Sequence, residues 1–129
     1  MKIPWSLLLA GISIFNLGCG GTATTMDPCT VVGLNVIPAS ATANHAAAPP
    51  ANSQTFGAST KFAGVCGAGT AIPPIANWTV TDPSVHLSPA QGTTTTTAIC
   101  TAALPSPVTI TATSADANKF TGTAALTCN

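Results

Sequence analysis

The sequence predicts an all-β domain, an antiparallel β-sandwich of about seven short strands. Three observations carry that prediction. Apolar and polar residues alternate with period 2 in several short segments, clearest in Ala76-Asn77-Trp78-Thr79-Val80-Thr81 and Val108-Thr109-Ile110-Thr111-Ala112-Thr113. Threonine is abundant and 11 prolines punctuate the chain, a composition that suits strands and turns. After the N-terminal leader, no segment repeats its apolar residues at helical spacing.

Taken in order, Val31 to Pro38 is a first strand, with Val32, Leu34 and Val36 expected on one face and Pro38 closing it. Residues 39–53 read as a small-residue loop that contains Pro49-Pro50. Gln54 to Phe62 is a second strand, with Phe56, Ala58, Thr60 and Phe62 facing in. A long connection over 63–74 leads to the strand of Trp78, the only tryptophan beyond the leader, which Asp82-Pro83 ends. Val85 and Leu87 mark a fourth strand that Pro89 stops. Thr93 to Cys100 is a fifth, with Ile99 its expected core residue. After Pro105 and Pro107 come the sixth strand, Val108 to Thr113, and the last, Phe120 to Cys128, with Ala124 and Leu126 inward. The expected core is Trp78, Val80, Phe56, Ile110 and Leu126.

Composition narrows function by exclusion. Charged residues make up 5% of the chain, and arginine and glutamate are absent. Beyond the leader, Lys61 and Lys119 stand against Asp27, Asp82 and Asp116, a net charge of −1. Without a basic patch, nucleic acid is not an expected partner. At 46% hydrophobic content the chain is a poor match to a disordered stalk.

Met1-Lys2 and the apolar run Ile3 to Leu17 form a signal-peptide core, too short to span a bilayer comfortably. Asn16-Leu17-Gly18-Cys19 resembles the end of a bacterial lipoprotein signal, although Asn16 stands where leucine is usual. The resemblance implies that Cys19 is lipidated and becomes the mature N-terminus, and that the membrane is a partner through this anchor. Because Gly20 follows the cysteine, it also implies an outer-membrane or cell-surface destination; without lipidation the chain would be periplasmic or secreted. The domain organisation is then a signal peptide over 1–19, a tether over 20–28 and the sandwich over 29–129. Nine tether residues reach at most roughly 30 Å.

The other cysteines are Cys29, Cys66, Cys100 and Cys128, an even number that implies two disulfides in an exported chain. In an up-and-down strand order, the start of strand one and the loop after strand two share a pole, and the ends of strands five and seven share the other. That argument favours Cys29–Cys66 and Cys100–Cys128. The cysteines are too widely spaced for a clustered zinc site.

Residues 31–128 resemble a group-2 bacterial immunoglobulin-like domain. The resemblance lies in the opening Val31-Val32-Gly33-Leu34-Asn35-Val36-Ile37-Pro38-Ala39-Ser40-Ala41, in Trp78 to Val85, and in Val108-Thr109-Ile110-Thr111-Ala112-Thr113. Pro105-Ser106-Pro107 replaces the glycine that usually opens the last element, and the loop around Cys66 is longer than the family norm. The resemblance implies an immunoglobulin-like sandwich with an adhesive or structural role at the envelope, toward an unknown surface protein or glycan. The spacing of Cys66 from Trp78 is similar to that in antibody domains and supports a rival pairing, Cys66 with Cys100.

Candidate chemistry is sparse. Asp82, Ser84 and His86 are the residue types of a hydrolytic triad, but they flank a proline turn and His86 is expected to face solvent. His45 reads as a loop residue, and Asn77-Trp78-Thr79 as a chance match to a glycosylation acceptor. The Thr93 to Thr97 run is an exposed strand or an array for surface binding or glycosylation, and Phe120 is a cover for one end of the core. No catalytic residue, cofactor or metal ligand is assigned, and an enzyme is not expected. The alternative to an adhesive or interaction module is a small carbohydrate-binding module, which needs an exposed aromatic platform. The loops 39–53 and 63–74 are the expected contact regions.

Overall fold

Alternation becomes architecture in eight strands: β1 (Thr30–Ile37), β2 (Ser40–Ala43), β3 (Ser53–Ala63), β4 (Ala76–Val80), β5 (Val85–Ser88), β6 (Thr95–Cys100), β7 (Val108–Ser114) and β8 (Thr121–Cys128). They are seen in a computed structural model that describes residues 28–67 and 73–129. The leader, Cys19 and the tether up to residue 27 lie outside the described residues, as do 68–72 of the loop expected over 63–74.

Two four-stranded sheets, in the orders β1-β3-β6-β5 and β2-β8-β7-β4, face each other. With β1 and β2 taken as two halves of one first strand, this is the strand distribution of an immunoglobulin-like sandwich. All ladders are antiparallel except β2–β8, which is parallel. The first strand therefore begins in one sheet, crosses at Pro38-Ala39, and ends in the other. That crossing corrects the expectation of a structureless 39–53 loop. Its first part is β2, and the remainder is bound by Asn44 N–H to Ala51 O and Ser53 N–H to Pro50 O, both 3.0 Å.

The inner faces supply the core. Phe56, Ile110 and Leu126 are fully buried and Trp78 is 3% exposed, while Val80 packs against them half-buried. Full burial contributes about 1.5–3 kcal/mol for each of Phe56, Ile110 and Leu126. The indole N–H of Trp78 donates to Thr93 O at 3.3 Å, which satisfies its one polar atom. Main-chain bonds Ala76 N–H to Thr93 O, Thr93 N–H to Ala76 O and Trp78 N–H to Ala90 O carry residues 90–93 along the outer edge of β4.

Three facing expectations change. Val32 is exposed, because a bulge between Val31 and Gly33 inserts an extra residue and breaks the alternation there. In β6 the inward residues are Thr96, Ala98 and Cys100, so Ile99 lies half-buried on the outer face. A run of threonines gives no facing signal, and the phase is set by Cys100. In β3, Phe56 and Ala58 are buried, but Thr60 and Phe62 are only half-buried as the strand runs toward the end of the sandwich.

Cys29 bonds Cys66, and Cys100 bonds Cys128, with Cα separations of 4.9 and 5.8 Å. These are the pairs favoured by strand direction, and they exclude Cys66–Cys100. The first joins neighbouring strands of one sheet just beyond the ends of β1 and β3. The second links β6 to β8 and so ties the two sheets together.

Candidate functional site

The local sequence around Asp82 builds a turn. Its Oδ1 accepts the Ser84 N–H at 2.8 Å, the side-chain-to-backbone turn that aspartate favours before a strand. Ser84 O in turn accepts both the N–H (2.9 Å) and the hydroxyl (2.8 Å) of Thr101. His86 is exposed on β5, opposite Ile99 in register. Asp82 thus positions the turn, and no bond ties it to the imidazole.

His45 has a structural partner that sequence spacing did not reveal. Its Nδ1 donates to Asn129 O at 2.6 Å and its main-chain N–H donates to the same oxygen at 2.9 Å. Asn129 N–H donates to Ala43 O at 2.9 Å, so the last residue extends the β2–β8 ladder. Asn77 Oδ1 accepts the Gly92 N–H at 3.1 Å, where Gly92 has φ +66° and needs no Cβ. Among the described residues no group of three or more His, Cys, Asp or Glu is placed to hold a metal ion.

Thr93 and Thr94 precede β6, Thr95 and Thr97 face outward, and the Thr97 hydroxyl meets that of Thr55 at 3.3 Å. Thr96 points inward, and its hydroxyl has no hydrogen-bond partner among the described residues. The larger threonine array is on the second sheet. There Thr109, Thr111 and Thr113 of β7 stand beside Ala125, Thr123 and Thr121 of β8, with Thr79 opposite Thr111. That array was legible as alternation within each strand, but its assembly depended on register.

Of the aromatics available for a sugar platform, Phe56 and Trp78 are buried, Phe120 packs half-buried against the core, and Phe62 is half-buried. A crease of about 530 Å³ runs between the two sheets, lined by Leu34 to Ile37, Ala39 and Thr121 to Thr123. It carries no titratable side chain, so it offers neither an acid nor a base. At its floor Gly122 passes close to β1, where an added Cβ would lie 2.7 Å from Leu34 O.

Fold and site together define the class: a β-sandwich of two four-stranded sheets closed by two disulfides, in which Asp82 serves a turn and His45 the residue that follows β8. Compared with known proteins, the chain matches no family model and no curated protein.

Proposed function

We propose that this protein is a non-enzymatic module of the bacterial cell envelope, exported, anchored by lipid at Cys19, and serving an adhesive, structural or protein-interaction role. The observation that carries this reading is the pair of disulfides, one of them across the sheets, which suits an oxidising compartment outside the cytoplasm. The resemblance to group-2 bacterial immunoglobulin-like domains supports the same role. With the anchor upstream of Cys29, the pole of Cys100–Cys128 is the one presented outward. Its loops 44–52 and 101–107, proline-containing and held by a rigid scaffold, are the contact elements of this reading, while the strand ends that flank the other expected contact region, 63–74, lie at the opposite pole. The inward turn of Trp78 and Phe56 favours a protein or structural partner over the carbohydrate-binding alternative.

Intact mass of the protein taken from its native membrane fraction tests the proposal. The expected species begins at Cys19, carries acyl chains, and gains four hydrogens when its two disulfides are reduced. An unacylated chain in the soluble fraction would overturn the anchor.

A further inference from the structure

The pole at which the chain enters the domain differs from the rest of the surface. Leu34 lies against Gly122, and Ala39 O accepts from Ala125 N–H, so β1 and β8 run in the same sense. The start of β1, the end of β3, the start of β4 and the turn between β7 and β8 therefore share one end of the sandwich. Five large apolar side chains stand exposed among the described residues, and four of them are at this end: Val31 (43%), Val32 (47%), Val65 (64%) and Ile75 (56%). The bulge is what turns two successive valines outward. Val65 is held beside the entry point by its bridge to Pro28 and by the adjacent Cys29–Cys66 bond. Ile75 is held by its carbonyl, which accepts Ala115 N–H at 2.9 Å.

Both lysines of the domain, Lys61 and Lys119, are exposed at the same end. Among the described residues the acid at this end is Asp116, and it is engaged locally: its Oδ1 accepts from the Ser114 hydroxyl and from the N–H groups of Asn118 and Lys119.

We propose that this pole rests on the lipid surface. The valines and Ile75 enter the boundary between headgroups and acyl chains, and Lys61 and Lys119 lie at the level of the lipid phosphates. The inference rests on the lipid anchor at Cys19. A tether of nine residues, reaching at most roughly 30 Å, ends at this pole and brings it to the membrane before any other part of the domain. Apolar side chains flanked by lysine, at the point where an anchored chain emerges, match a bilayer interface better than a protein partner.

The test uses the mature full-length chain in vesicles of phosphatidylethanolamine and phosphatidylglycerol containing brominated lipid. Two variants, Val65→Trp at this pole and Ala103→Trp at the other, are compared with the parent, whose buried Trp78 gives the background. Fluorescence of Val65→Trp is expected to be quenched at least about twofold more than that of Ala103→Trp. Adding Lys61→Gln and Lys119→Gln should reduce that difference in vesicles containing phosphatidylglycerol. Intact mass of the same samples separates the two readings. Acylated chain with equal quenching at both positions overturns the membrane-facing pole and leaves the anchor standing. Unacylated chain overturns both. Shielding of Val65→Trp without vesicles, together with a dimer in sedimentation, overturns the proposal in favour of a second copy of the chain.

Discussion

The two disulfides close loops of similar length, with sequence separations of 37 and 28, yet they do different physical work. Cys29–Cys66 lies beyond the strand ends and joins two strands that already share a ladder, with Cys29 exposed and Cys66 half-buried. Cys100–Cys128 is buried to 1% at both cysteines and joins strands of opposite sheets that share no hydrogen bonds. Constraint of the unfolded chain is worth about 3.5–4 kcal/mol for either bond in the chain-entropy model. Any difference between them must therefore come from the folded state, where only the second contributes to packing.

Removing each bond in turn measures that difference. The double variant Cys100→Ala/Cys128→Ala should lose about 5 kcal/mol, the entropic part plus about 1–2 kcal/mol for emptied core volume. Denaturant titration should show it as the most destabilised of the set. Cys29→Ser/Cys66→Ser should lose about 4 kcal/mol by the same measurement. Equal losses would mean that burial adds nothing and that the two poles are equivalent.

The contrast also extends to the ways the sheets meet. On the side away from Cys100–Cys128 they are brought together by the close pass of Gly122 over β1, without a covalent link. Gly122→Ala places a methyl 2.7 Å from Leu34 O and should cost about 1–3 kcal/mol, read as a lower denaturation midpoint. A neutral result would show that β1 moves aside easily and that this edge is the softer one. The smallest effect expected is a gain. Thr96→Val keeps the shape of the side chain, removes a buried hydroxyl with no partner, and should raise stability by about 1 kcal/mol in the same titration.

What could be read from the sequence followed the strength of the local signal. Trp78, Ile110 and Leu126 sit in segments whose alternation is uninterrupted, and each lies in the core. Where one residue disturbs the period, as at Val32, the facing assigned downstream of the bulge held and that at the bulge did not. Threonine is compatible with either face, so Thr96 and Ile99 could be phased only by the structure. β2 was missed because Ser40-Ala41-Thr42-Ala43 is short and small, and it becomes a strand only through β8 beside it. The partner of His45 is 84 residues away at Asn129, a distance at which sequence spacing is silent.

Seen as a mechanical linkage, the positions of the two bridges shorten the molecule. Tension entering at Cys29 and leaving at Asn129 passes through one bond to Cys66 and through the other from Cys100 to Cys128. The strands β1 to β3 and β7 to β8 lie in closed covalent loops off that path. Only the chain between Cys66 and Cys100 can be drawn out, roughly 110 Å at about 3.3 Å per residue. The whole domain without its bridges would give about three times that length. Under tension between Cys29 and Asn129, the segment from Cys66 to Cys100, which carries β4, β5 and β6, is the part that lengthens.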